Sequence, residues 1–141
     1  MISNPAVLAE VRESWNGVET LQIRVQALGG GGVSLMGGPF VVQLMDLAHN
    51  LPFLHACSVL NDALKQLAKE KKFGYQGNML GKLVRSSESI LPWKNYTQIC
   101  DVVVERRNGL AHRGEVLPRA ECWDHIRSIR DELTAWRVIE S

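Results

Sequence analysis

The chain has 141 residues, 45% of them hydrophobic and 22% charged, with a formal net charge of +1. That is the size and composition of one globular domain spanning residues 1–141, and it excludes a disordered chain. A charge so close to zero provides no global field for nucleic acid, so such a partner would have to be held by a local patch.

Asn4 followed by Pro5 predicts a helix start, an N-cap with proline in the first helical position. Val7, Leu8, Val11, Trp15, Val18, Leu21, Val25 and Leu28 then recur at helical spacing. Gly29–Gly32 end that helix, and Gly37-Gly38-Pro39 close a glycine-rich loop. The loop lacks the Gly-Lys-Ser/Thr ending and the preceding strand of a phosphate loop, so it reads as a linker whose Val33, Leu35 and Met36 are available to a partner. A second helix begins near Pro39, with Val42, Met45 and His49 on one face. Pro52 is expected to kink or restart it. Phe53, Cys57, Leu60, Leu64 and Leu67 continue a stripe, and Lys65, Lys69, Lys71 and Lys72 solvate its end. Gly74 and Gly77 break it. A short helix is predicted over 78–90 with Leu80, Leu83 and Val84 inward, and Pro92-Trp93 mark a turn. Another helix over 96–111 carries Ile99, Val102 and Val103. The last covers 119–139, with Cys122, Ile126, Ile129, Leu133 and Trp136 as its core stripe.

No segment alternates as a strand would. The fold class is therefore all-α, a kinked bundle of four or five helices whose short connections favour antiparallel neighbours. Cys57, Cys100 and Cys122 are odd in number and widely spaced, which fits buried thiols in a reducing compartment rather than a disulfide framework or a zinc site. No secretory signal and no apolar stretch of membrane-spanning length is visible, so a cytoplasmic protein without a membrane partner is expected.

Chemistry concentrates in Glu105-Arg106-Arg107-Asn108-Gly109-Leu110-Ala111-His112-Arg113. Arg107 and His112 have the spacing Arg-x4-His. Arg106 to His112 gives Arg-x5-His, and so does Arg119 to His125, which lies inside the last predicted helix. The first has better context: Asn108 adjoins the arginine, and Gly114 and Pro118 break the chain beyond it. Residues five apart on a regular helix sit about 140° apart around its axis. Bringing Arg107 and His112 together therefore needs helix termination, a local distortion or a second subunit.

Arg107-Asn108-Gly109-Leu110-Ala111-His112 resembles the Arg-polar-x3-His signature of HEPN domains. The resemblance implies an all-α, usually dimeric domain. It also implies a metal-independent endoribonuclease of a toxin–antitoxin, phage-defence or other antiviral system, with no cofactor. It further implies Arg107 and His112 as catalytic residues with Asn108 as their polar neighbour, often completed by the same residues of a partner subunit. The partners implied are RNA, a second copy of the chain, and possible control by a cognate antitoxin or regulator. Nucleotidyltransferase-paired members carry a tyrosine two residues after the histidine; Gly114 stands there, so the resemblance does not extend to that subgroup.

The chemistry is consistent with those roles. Histidine titrates near neutral pH and serves as acid or base, while arginine presents a fixed fork of donors to phosphate oxygens. A 2′-hydroxyl that loses its proton attacks the neighbouring phosphorus and leaves a 2′,3′-cyclic phosphate. One histidine does not easily act as acid and base together, which again favours a dimer. Arg106 and Arg113 are candidate substrate-binding residues that add local charge. A plainer reading stands beside this one: Arg106, Arg107 and Arg113 form a solvated basic turn paired with Glu105 and Glu115, and His112 only caps a helix end. Non-catalytic dimerisation, substrate-holding or antitoxin modules are the alternatives in function. His49 and His55 lack zinc-protease spacing and read as core or capping residues. Trp15, Trp123 and Trp136 read as core or interface, and Trp93 with Lys94 and Tyr96 as a packed loop edge.

Overall fold

The computed structural model describes residues 2–28, 39–73 and 79–140. The glycine-rich segment 29–38 with Val33, Leu35 and Met36, and the glycines Gly74 and Gly77, lie outside the described residues, as do the side chains of Leu28, Val42 and Met45. Among the described residues there are five helices and no strand: an all-α bundle. They are α1 (Pro5–Leu28), α2 (Pro39–Lys71), α3 (Leu80–Ser86), α4 and α5 (Arg119–Ala135). Helix α4 is continuous but composite, with α-helical Tyr96–Gln98, a π-helical turn at Ile99–Val103, and α-helical Val104–Arg113.

Helix α1 starts as its sequence dictates, for Asn4 Oδ1 accepts the backbone N–H groups of Ala6 and Val7 at 3.0 and 3.4 Å. Its stripe buries Val11, Trp15 and Val18 in one cluster with Phe53, Cys57, Leu60, Leu64 and Leu67 of α2, and Val25 is buried further along. The two helices are antiparallel: Ser3 donates from its backbone to Glu70 at 2.7 Å, while Gly17 lies beside His55 further along. The 33-residue α2 runs through Pro52 without a break. The expected restart does not occur, because His49, Asn50, Phe53, Ala56 and Cys57 are buried on both sides of the proline and keep the two halves in one packed helix.

Helix α3 is shorter than the 78–90 expected. Buried Ser87 ends it: its hydroxyl donates to the Val84 carbonyl at 2.8 Å and accepts the Trp93 indole N–H at 3.0 Å. Helix α5 stops at Ala135 rather than continuing to 139. Arg137 takes a left-handed conformation (φ 58°), and its N–H and that of Val138 donate to Thr134 and Leu133 at 3.0 and 2.9 Å. That is a Schellman closure with Val138 folded back over Leu133, both buried.

Within α4 the buried set is Ile99, Val103, Val104 and Gly109, with Val102 only half-buried. The expected inward residues Ile99, Val102 and Val103 assumed α-helical spacing. The Val104 N–H instead bonds back five residues to the Ile99 carbonyl, so residues 99 and 104 share a face. Helix α4 packs antiparallel to α5, with the Lys94 and Asn95 end of α4 at Glu132 and Arg106 at Glu121. Helix α5 runs beside α2 in the same direction, pairing Arg119 with Asp46 and stacking His125 on Phe53, because two helices intervene in the chain.

Two buried polar groups hold α4 in place. Glu132 is fully buried and accepts the backbone N–H groups of Lys94 (2.9 and 3.0 Å) and Asn95 (2.6 Å). A carboxylate at a helix N-terminus is also favoured by the helix dipole. At the other end, the amide of buried Asn50 bonds both the N–H and the carbonyl of Leu117, each at 2.9 Å, and so fixes the α4–α5 connection onto α2.

Asn50→Ala would leave two buried backbone groups of Leu117 unpaired, and a loss of about 2 kcal/mol is expected in urea unfolding. Burial raises the Glu132 carboxyl above the usual carboxylate range, although the Lys94 and Asn95 N–H groups oppose the shift. The folded state then holds that proton more tightly than the unfolded chain. Its contribution is greatest below the unfolded value of about 4.3 and falls as pH rises through the raised one. The stability of wild type relative to Glu132→Gln should therefore decline with pH across that window; a rise would contradict the assignment.

Candidate phosphate site on helix α4

Every residue of the candidate run lies on the last ten residues of α4, Val104–Arg113. The helix does not fray between Arg107 and His112. It continues to Arg113 and closes at Gly114, whose left-handed backbone (φ 65°) lets its own N–H and that of Glu115 reach the Gly109 carbonyl. The one distortion, the π-helical turn, lies upstream of the run. Arg107 and His112 therefore remain about 140° apart around the axis. Of the three ways to unite them, termination and distortion are absent from the segment between them.

The arginines are not equivalent. Arg106 Nε pairs with Glu121 at 2.8 Å. Arg113 pairs with Glu115 at 2.8 Å and Glu105 at 3.4 Å, and its hydrogen bond holds the exposed Glu115 carboxyl below the usual range. Residues 105, 109 and 113 share one helix face, and Gly109 leaves the flat space over which these side chains cross. Both candidate substrate-binding arginines thus already have carboxylate partners.

Arg107 has none among the described residues. Half-buried, it bonds only sideways to Asn108 Oδ1 at 3.3 Å. Its guanidinium lines a cleft of about 240 Å³ with Leu54, Cys57, Ser58 and Asn61 of α2 and Leu80 of α3. Among the described residues no carboxylate lines this cleft, and the buried Asn61 Oδ1 has no hydrogen-bond donor. Ser58 and Asn61 did not figure among the sequence candidates. The available signal was that they continue the helical row of Leu47, Leu51 and Leu54 with polar residues.

His112 is exposed in the last turn of α4 and makes no hydrogen bond or ion pair with the described residues. The other histidines are taken up by the fold. His49 is buried beside Trp123, His55 Nε2 donates to the Ser14 carbonyl at 2.9 Å, and His125 is buried against Phe53 with Nε2 at 3.2 Å from Glu121. The Arg119-to-His125 match is therefore divided, with His125 in the core and Arg119 exposed and paired with Asp46. Trp15 and Trp136 are buried, and half-buried Trp93 packs edge-on against Trp136 with centroids 4.7 Å apart.

Burial pushes the Cys57 thiol up to about 12, with Arg107 opposing the shift, and pushes Cys122 up to about 12 as well. Both stay protonated near neutral pH, which removes them as nucleophiles. Among the described residues no cluster of His, Cys, Asp and Glu could hold a metal ion, and no helix is long and apolar enough to cross a membrane. No protein-family model, curated protein or solved structure matches the chain.

Gly109 within the run and Gly114 just beyond it should respond oppositely to alanine. A Cβ at Gly109 meets only the mobile ends of Glu115 and Arg113, so Gly109→Ala should be neutral or gain up to about 1 kcal/mol from helix propensity. Gly114→Ala has open space but an unfavourable left-handed backbone, and should lose about 1 kcal/mol. Thermal unfolding of the two variants checks the pair.

Proposed function

We propose that this chain is a HEPN-like, metal-independent endoribonuclease, acting in the cytoplasm as a homodimer in a toxin–antitoxin or phage-defence system. The observation that carries the proposal is Arg107: in a run where the neighbouring arginines are neutralised, it keeps an unpaired charge beside a cleft with no carboxylate. An uncompensated guanidinium at a partly desolvated cleft is suited to a phosphate, whose oxygens match its donor fork.

The exposed His112 supplies the proton chemistry. Its imidazole takes the proton of a 2′-hydroxyl, the oxygen attacks phosphorus, and the bond to the 5′-oxygen breaks. A second His112, from the other copy, returns a proton to that oxygen, and the product end is a 2′,3′-cyclic phosphate. A second subunit is the remaining way to unite Arg107 with a histidine, since the helix between Arg107 and His112 is regular. Arg107 steadies the charge developing on the phosphate, and Asn108 orients its guanidinium. Arg106 and Arg113 sit in exposed ion pairs, which are worth little in water and exchange readily for phosphate. A non-catalytic binding module is the second reading, favoured by the separation of Arg107 and His112 within one chain.

The test is cleavage of a mixed RNA pool in EDTA. Wild type is expected to cut and leave cyclic-phosphate ends, with Arg107→Ala and His112→Ala each losing at least about 100-fold. Specific activity should fall on dilution in step with dimer dissociation followed by sedimentation. A folded, dimeric wild type that leaves RNA intact would move the assignment to the binding module.

A further inference from the structure

We infer that the α2 wall of the Arg107 cleft, through Asn61 with Ser58 beside it, selects ribose over deoxyribose by accepting a hydrogen bond from a 2′-hydroxyl. The inference rests on the reading of Arg107 as a phosphate ligand, but not on cleavage. An arginine and a phosphate satisfy each other: one brings donors, the other acceptors. The phosphate offers nothing to a carbonyl oxygen, and Arg107 makes no bond to the unpaired one on the α2 wall, Asn61 Oδ1. Buried acceptors are almost always paired, so an orphan on a side chain that lines the cleft is one that a ligand's donor can satisfy once the amide turns outward.

Asn61 is only partly buried, and the terminal torsion of an asparagine side chain is broad, so a turn of the amide brings its oxygen to the cleft. The ligand must therefore carry an anion and, close to it, a hydroxyl or amine. A ribonucleotide chain carries both at every step, and DNA carries only the anion. The hydroxyl read by Asn61 belongs to a nucleotide flanking the phosphate on Arg107, because the adjacent one gives its proton to His112. The cleft of about 240 Å³ falls below the roughly 300–1,000 Å³ of pockets that enclose a drug-sized ligand. It suits a sugar-phosphate edge with the base outside, and so implies recognition of the backbone rather than of base identity.

The experiment measures binding, using short oligonucleotides of one sequence and the His112→Ala chain so that nothing is cut. The RNA is compared with its 2′-fluoro analogue, which keeps the ribose pucker but lacks the donor, and with DNA. The expected result is RNA binding about tenfold tighter than the 2′-fluoro strand, the worth of one hydrogen bond. Adding Asn61→Leu should bring the two affinities together without lowering the melting temperature, since the orphan oxygen contributes nothing to the fold. Adding Arg107→Ala should weaken all three strands. Equal binding of RNA and 2′-fluoro RNA, or discrimination that survives Asn61→Leu, overturns the inference. Failure of the wild-type chain to cleave, with the discrimination intact, would instead count against the ribonuclease reading alone.

Discussion

One buried carboxylate decides where helix α4 begins. Glu132 lies in the core at the end of α5 and takes up the N–H groups of Lys94 and Asn95, which no local side chain caps. Desolvating a carboxylate costs several kcal/mol unless its lone pairs are filled. Here backbone donors fill them, aided by the positive end of α4. The edge-on contact of Trp93 with Trp136 and the Trp93–Ser87 hydrogen bond close the same corner. Asn50 holds the opposite end through Leu117. Between these anchors α4 has no freedom to rotate, so Arg107 is aimed at the cleft by contacts remote from the motif.

Much of this was legible in the sequence. Apolar stripes at helical spacing named buried residues of α2 and α5, and in α1 Val11, Trp15, Val18 and Val25, while Val7, Leu8 and Leu21 of the same stripe are only half-buried. The Asn4 cap was legible because capping is local chemistry. Element ends were less so. Ser87 ends α3 by bonding Trp93, and Arg137 reverses the chain with no glycine to announce it. Both depend on partners that periodicity does not show.

The candidate site divides in the same way. Residue types and spacing singled out Arg107, Asn108 and His112, and the ion pairing of Arg113 with Glu105 and Glu115 was legible in the run itself. The pairing of Arg106 with Glu121 was not, because it joins two helices. Nor were Ser58 and Asn61, which meet Arg107 only through the packing of α2 on α3 and α4. What distinguishes Arg107 from its neighbours is the placement of other residues' carboxylates.

The π-helical turn at Ile99–Val103 has a consequence for how the chain can change. A π-turn holds one residue more than the α-helical turn it replaces. Loss of a single codon there would let the turn relax to α-helix while Glu132 and Leu117 still clamped the two ends. Because the turn absorbs that extra residue, the segment beyond would keep its angular position relative to the anchor at Asn95, and Arg107 would stay at the cleft. The same loss in the regular turns from Val104 onward would instead rotate the residues beyond it by about 100°. Ile99–Val103 is thus the stretch of α4 where the chain could lose one residue and keep the site.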